Sequence, residues 1–369
     1  MGQTLVIAEK PSVAGDIARA LGGFKKDGDF WVSDAMIVGS AVGHLLEIKA
    51  PEEYDVKRGR WSFANLPVLP PHFDLQPIKK SIKKFEGLEK KIRSRSVTDI
   101  INACDAGREG ELIFRYIIQA TGTKKPIRRL WLQSMTKASI QKAFTALRSD
   151  AEMKPLEAAA RSRSEADWLV GINGTRALTA FNSKDGGFFL TTVGRVQTPT
   201  LAIVVAREEE ITHFKPQNYW EVHATFGAQA GDYDSVWVDA DFKKTKGQSA
   251  ELKPERLWTA AEAQAIVAKC QGKLGIVTDH KRRATSAPPA LFDLTSLQRE
   301  ANGRFGFPAK MTLAILQRLY ERHKVLTYPR TDSRALPEDY PETMKETLSH
   351  LQKLEAYNAF AGQILMSGW

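Results

Sequence analysis

Twice before residue 120 the chain passes from an apolar strand directly into charged residues and then into a helix. No other feature constrains its fold as strongly. Thr4-Leu-Val-Ile-Ala8 reads as a short buried strand. Glu9-Lys10 follow, Pro11-Ser12 opens a helix, and Val13, Ile17 and Leu21 mark its apolar face up to the Gly22-Gly23 stop. Val97 to Cys104 is a second such strand, followed by Asp105-Ala-Gly107-Arg108-Glu109-Gly-Glu111 and a helix from Leu112 to Gln119. Such βα units predict an open α/β sheet with charged groups at the strands' carboxyl edge, where these sheets bind ligands.

Acidic groups at one strand end facing Glu9 at another suit a hard cation such as Mg²⁺, held through carboxylates and water. Acids at a helix start also favour the helix dipole without any ligand. The arginine set among acids and glycines exceeds what a cap requires.

Lys and Arg number 53 against 43 Asp and Glu, a formal charge of +10. This excess favours a polyanionic partner, nucleic acid before an anionic membrane surface. Cys104 and Cys270 stand far apart, with neither a disulfide framework nor a zinc ribbon. Neither a signal peptide nor a membrane span is predicted, and there is no Walker A pattern.

Residues 30 to 48 read as paired strands ending in Gly43-His44-Leu-Leu-Glu47. Trp61 falls in a loop, and Pro67 to Pro77 is a connector. Residues 79 to 95 carry eight basic and two acidic residues, either a solvated helix face or a phosphate-contacting one. Ile127 to Leu132 is a further strand; Thr136 caps a helix through Leu147. A long helix spans Pro155 to Thr179. The glycine-punctuated Leu190 to Thr200 leads into a helix, Leu201 to Glu210. Residues 218 to 242 alternate as strands, and Leu274 to Thr278 is expected to return as another. Helices are predicted at 294–304, 311–322 and 342–354. Between the last two lies Leu326-Thr-Tyr328-Pro-Arg330-Thr-Asp-Ser-Arg334. A tyrosine two residues before an arginine suits attack on a phosphodiester, with the phenol as nucleophile and the guanidinium holding the phosphate.

Six motifs now stand in order: Ile7-Ala-Glu9-Lys10-Pro-Ser12, Gly43-His44-Leu-Leu-Glu47, Asp105-Ala-Gly-Arg108-Glu109-Gly-Glu111, Glu165-Ala-Asp167-Trp168-Leu-Val-Gly171-Ile-Asn173, Val193-Gly-Arg195-Val-Gln197-Thr-Pro199 and Thr327-Tyr328-Pro-Arg330-Thr-Asp-Ser333. Together they resemble the type IA DNA topoisomerases, in particular the bacterial topoisomerase III branch. The resemblance implies a multidomain α/β chain. Its expected parts are a Toprim domain at 1–153, a helical DNA-binding segment at 154–216, a β-rich gate or arch segment at 217–283 and a partial catalytic-tyrosine domain at 284–369. These would be pieces of a four-domain toroid, incomplete at the C-terminus because relatives continue well beyond this point.

The implied activity is isomerisation of DNA without ATP. Tyr328 attacks a single-strand phosphate, forms a 5′-phosphotyrosyl bond, lets a strand pass and reseals the break, in relaxation or decatenation. A phenol with a pKa of about 10 needs activation, and nearby cations favour the phenolate. By the same resemblance Arg330 holds the scissile phosphate, Glu9 acts as acid, base or metal ligand, and Lys10 stabilises charge. Glu9, Asp105 and Glu109 hold Mg²⁺. Trp61, Thr175, Thr192, Val193, Gly194, Arg195, Val196, Gln197 and Arg330 contact DNA, chiefly single-stranded. The resemblance also implies a monomer in the cytoplasm, associated with nucleoid or plasmid, without membrane contact, and a helicase or single-strand DNA-binding protein as partner.

The sequence departs from the family in two ways. Gly107 stands where many relatives have the middle acid of Asp-x-Asp-x-Glu. That leaves either a single Mg²⁺ on the three acids or compensation by Glu111. The short length favours, as the alternative function, a single-stranded DNA-binding fragment without full strand passage. Another Toprim enzyme, a primase or nuclease, would leave Tyr328-Pro-Arg330 unused.

Overall fold

The computed structural model describes residues 2–53, 61–243, 251–323 and 325–367. Chain contacts divide it into two units, residues 1–198 with 289–369, and residues 199–288.

The first unit is built on a seven-stranded sheet. In chain order its N-terminal part comprises β1 (Gln3–Ala8), α1 (Pro11–Leu21), β2 (Lys25–Asp27), β3 (Phe30–Val32), β4 (Met36–Ser40), β5 (Leu46–Ile48), β6 (Leu75–Pro77), α2 (Ile82–Arg93), β7 (Val97–Ala103), α3 (Arg108–Thr121), β8 (Ile127–Arg129), α4 (Lys137–Thr145), β9 (Arg148–Ser149) and the long α5 (Asp150–Asn182). The sheet order is β2-β3-β4-β1-β7-β8-β9. Strands β4, β1, β7 and β8 run parallel, and the edges are antiparallel.

Both faces of β1 are covered, which explains its unbroken apolar run. Leu5 and Ile7 pack with Phe85 and Leu88 of α2 and Ile113 and Phe114 of α3. Val6 and Ala8 pack on the other side with Val13 and Ile17 of α1 and Ile140 of α4. The period-two alternation of a strand thus divides the core between two helical layers. From β1 the chain turns toward β4, whereas β7 continues toward β8. The carboxyl ends of β1 and β7 therefore flank the crevice at which the winding reverses.

Two local readings change here. The paired strands expected over 30 to 48 belong to two sheets: β3 pairs with β4, whereas β5 pairs with β6 inside the supposed proline connector. Pro77 ends that short two-stranded edge, where proline is tolerated.

Helix α6 (Gln197–Thr212) crosses from the first unit into the second. The second unit contains the hairpin β10 (His223–Ala228) and β11 (Gly231–Val236), and α7 (Ala260–Cys270). The strand expected at Leu274 to Thr278 does not form. Leu274 and Ile276 stand almost fully in solvent, and although Gly275 lies against the Phe226 side chain of β10, the segment pairs with no strand among the described residues.

The chain returns to the first unit with α8 (Leu294–Phe305), α9 (Ala309–Arg318), α10 (Pro341–Leu351) and α11 (Asn358–Met366). Where a helix was expected through residue 322, α9 ends at Arg318 and passes into a π-type turn, Leu319–His323, just before the Tyr328 stretch. Among the described residues no helix is long and apolar enough to cross a membrane.

Candidate active site

The register of the sheet assembles the acidic corner. Ala8 pairs with Ala103, so Glu9 leaves β1 beside Asp105, two residues beyond β7. Burial acts most strongly on the Glu9 carboxyl. With the Asp105 and Glu109 charges it pushes the pKa up to about 7, against Lys10 and a hydrogen bond from the Asp105 backbone.

Lys10 is the pivot of the corner. Its ammonium lies 3.7 Å from Asp105 Oδ2 and 3.4 Å from the Tyr328 hydroxyl, with the ring centroid 4.7 Å away. Burial opposes the ammonium, yet Asp105, Tyr328 and Glu9 outweigh it and hold Lys10 above the usual lysine value. Tyr328 is also raised, first by burial and then by Asp105 and Glu9, although Lys10 pulls the other way. Lys10 favours the phenolate as expected of a nearby cation, but burial and the Asp105 and Glu9 charges outweigh it and hold the phenol above its ordinary value. Tyr320 packs edge-on against it at 5.5 Å. Arg330 is exposed on the same stretch, and among the described residues it has no ion-pair partner.

Glu109 stands at the exposed start of α3, 3.7 Å from His44 Nε2. Glu9, Asp105 and Glu109 offer hard oxygen donors to a dication, and their mutual repulsion on Glu9 is what such an ion would relieve. Among the described residues no three His, Cys, Asp or Glu side chains close into a ligand cluster.

Several supporting residues escaped the sequence reading. Arg129, fully buried, donates to the carbonyls of Asn102 at 3.0 Å, Cys104 at 2.7 Å and Asp105 at 2.7 Å, fixing the end of β7. The visible signal was the second of two adjacent arginines in the short strand before Leu130. Gly110 faces the same turn: a Cβ there would lie 2.3 Å from the Asp105 carbonyl oxygen. On the other side, the Ala41 amide donates to Ala8 at 2.8 Å and the Gly43 amide to Glu9 at 3.2 Å. Between them Val42 has φ 61°, a left-handed conformation that is costly for a β-branched residue. Asp339 ties the later part of the chain to the sheet domain, accepting from Ser134 Oγ and Thr136 Oγ1, each at 2.8 Å.

The remaining residues gather along the C-terminal half of α5. The Val193 amide donates to Thr175 Oγ1 at 2.9 Å, and the Thr191 amide donates to Thr179 Oγ1 at 3.0 Å. Gly174 admits this approach, since a Cβ there would lie 2.8 Å from the Val193 side chain. Thr192 is exposed beside them, and the Gly194 amide donates to Thr198 Oγ1 at 3.2 Å. Arg195 lies 3.3 Å from Asp167, while Val196 and Gln197 are exposed where α6 begins. Trp61 packs on Phe188 at 5.7 Å and beneath the Arg176 guanidinium at 5.4 Å, and Arg176 also pairs with Glu52.

The family described as DNA topoisomerase matches residues 151–368, and the Toprim domain family matches residues 4–135. The chain belongs to the type IA DNA topoisomerase family. It is 40% identical to DNA topoisomerase 3 of Bacillus subtilis over all of this chain and 48% of that protein. Identity to DNA topoisomerase 3 of Shouchella clausii is 43%, over 94% of this chain and 45% of the other. The chain thus spans about half the length of the curated relatives it matches. The fold is similar to that of full-length topoisomerase I from Thermotoga maritima, with a TM-score of 0.58 and 23% identity, over 94% of this chain and 52% of that one.

For a topoisomerase of this type, the departure at Gly107 and the Glu111 alternative now have structural content. Gly107 is extended, with φ −179°, and a Cβ there would meet nothing within 4 Å. The position thus has room for a side chain. Compensation by Glu111 is ruled out by its burial. Its carboxylate lies 2.7 Å from Arg115 Nε and 3.4 Å from Arg129 Nε, and accepts from Asn102 Nδ2 at 3.0 Å. Glu111 is held in the interior and does not face the open corner.

Proposed function

We propose that the chain carries the strand-cleaving centre of a DNA topoisomerase that breaks and rejoins one DNA strand without ATP. The contact of Lys10 with both Tyr328 and Asp105 carries this reading, because it couples a nucleophile to the acidic corner of the Toprim domain. In the proposed step the Tyr328 oxygen attacks a phosphodiester phosphorus and the P–O3′ bond breaks. The DNA 5′-phosphate stays on the tyrosine, and the 3′-oxygen departs as a hydroxyl.

Glu9, protonated up to about pH 7, donates the proton to the 3′-oxygen and recovers it when the hydroxyl attacks in rejoining. Tyr328 loses its own proton to solvent at this half-exposed edge, and Lys10 steadies the charge developing on its oxygen. Arg330, extending from the same stretch, holds a non-bridging oxygen of the phosphate. Mg²⁺, held by Asp105 and Glu109 with water, would supply charge neutralisation at the leaving oxygen and leave the Glu9 carboxyl its proton. The surface of Trp61, Thr175 and residues 192–197 suits a single strand through stacking and phosphate contact.

Incubation with a single-stranded oligonucleotide labelled at either end, with Mg²⁺ or with EDTA, tests the proposal. Label should follow denatured protein only from the 3′-labelled strand, and only with Mg²⁺. A second reading is a chain that binds single strands without cleaving them. Retention of the oligonucleotide before denaturation, with no adduct from either label, selects it.

A further inference from the structure

The basic run at 79–95 has no part in the chemistry above. Its first turn and the start of α2 form one wall of a cavity of about 380 Å³ in the N-terminal domain. Ala14 and Gly15 of α1 and the adjoining indole of Trp31 on β3 line another part of it. Four cations line it, Arg19, Lys26, Lys80 and Lys84; Arg19 is paired with Asp16 and Lys84 with Asp29 at 3.1 Å, which leaves Lys26 and Lys80 to meet an anion. Lys26 Nζ lies 5.9 Å from the Trp31 ring centroid. Gly15 keeps its part of the lining open, because a Cβ there would come within 3.3 Å of Arg19 Nη1 and 3.7 Å of the Trp31 ring.

One end of the cavity is Pro11 and Ser12, the first turn of α1. This turn holds no acid, and its N-cap residue makes no side-chain hydrogen bond to it. Unpaired amides at a helix start add to the attraction for an anion. Val42 lines the same end, next to the Gly43 amide that binds the Glu9 carbonyl. The cavity therefore starts beside the proposed cleavage corner and runs away from it, along the edge formed by β2 and β3. Cations around an aromatic ring and small residues match a nucleotide, with its phosphate among the lysines and its base against the indole.

We propose that this cavity is a nucleotide subsite, separate from the Tyr328 corner, that takes a phosphate and base of a single-stranded polynucleotide. The choice of polynucleotide rests on the topoisomerase reading; the phosphate-and-base chemistry does not.

The test uses the full chain in EDTA, where cleavage is silent, and measures binding of a fluorescent single-stranded oligonucleotide across a salt series. The double variant Lys26→Ala, Lys80→Ala should bind at least about tenfold more weakly and flatten the log–log salt slope by about 1.4, the loss of two phosphate contacts on a single strand. Trp31→Leu should weaken binding with the slope unchanged. Lys345→Ala, a surface change paired with Glu342 elsewhere, should alter neither. Circular dichroism checks that each variant folds; should the double variant not fold, Lys80→Glu alone replaces it.

Competition by 5′-AMP identifies the source: displacement at equal nucleotide concentration means a free nucleotide fills the site, and weak displacement means a strand does. Unchanged affinity and slope in the folded lysine variant overturn the proposal. Adduct formation with Mg²⁺, measured on the same samples, reports on the Tyr328 reading separately.

Discussion

Lys10 and Tyr328, 318 positions apart, meet with 3.4 Å between ammonium and hydroxyl. The same ammonium is 3.7 Å from Asp105. One side chain therefore couples the phenol to the carboxylates, and its removal should affect chemistry more than folding. Lys10→Ala is expected to slow adduct formation by about 10²–10³-fold, the cost of losing one donor aimed at developing charge. Single-turnover rates under saturating oligonucleotide check this, and oligonucleotide affinity should change far less.

Glu9 links the site to stability. Its folded pKa of about 7 exceeds its ordinary 4.5, so the folded state holds this proton more tightly than the unfolded chain. The resulting stability is fully present below about pH 4.5 and is lost as pH rises through about 7. Glu9→Gln should therefore melt higher than the wild type at pH 8 and differ little at pH 4.5, while losing cleavage. Thermal melts in EDTA at the two pH values measure the difference.

Glu111 predicts the opposite pattern. It is fully buried against Arg115 and Arg129. Glu111→Ala leaves two buried guanidinium groups without this partner and should cost about 3–5 kcal/mol. Denaturant unfolding reads that loss, and EDTA should not alter its size.

The turn after β7 distinguishes two glycines. Gly107→Asp fits an extended backbone with open space, so stability should move by no more than about 0.5 kcal/mol. Mg²⁺, followed by calorimetry, should bind more tightly. Gly110→Ala drives a methyl into the Asp105 carbonyl oxygen and should destabilise by about 1–3 kcal/mol while weakening Mg²⁺ binding.

Asp339 closes a second link between the tyrosine-bearing part of the chain and the sheet domain. Asp339→Ala removes the acceptor for two hydroxyls. Amide exchange at the start of α4 and across residues 336–341 should speed up about tenfold, the effect of about one hydrogen bond, with the global melt little changed.

Much of the N-terminal domain was legible because local pattern and burial agree there. The run Thr4–Ala8 is largely apolar, Val97–Cys104 is apolar over most of its buried length, and both lead into charge and glycine, so strand, edge and helix follow each other in sequence. Leu274–Thr278 has similar local character but pairs with no strand among the described residues, and a strand requires a ladder partner. Glu111 stayed open as an alternative ligand in the sequence because one carboxylate in an acidic stretch looks like another. Arg115, four residues on, was the sign that it points inward, and Arg129 completed the pair only in three dimensions. The approach of Lys10 to Tyr328 has no local signature, since it depends on the chain returning to the first unit after residue 288. Burial around Tyr328 likewise belongs to tertiary structure, which is why its raised pKa was not anticipated.

Identification of the residue that carries DNA tests the central claim most directly, because a second phenol, Tyr320, packs 5.5 Å from Tyr328. The adduct formed with a short oligonucleotide and Mg²⁺ would be trapped with denaturant, digested with nuclease and protease, and sequenced by mass spectrometry. The account predicts a 5′-phosphoryl nucleotide on Tyr328 and no adduct in Tyr328→Phe. Modification at Tyr320 or any other side chain, or an adduct that persists in Tyr328→Phe, would contradict it.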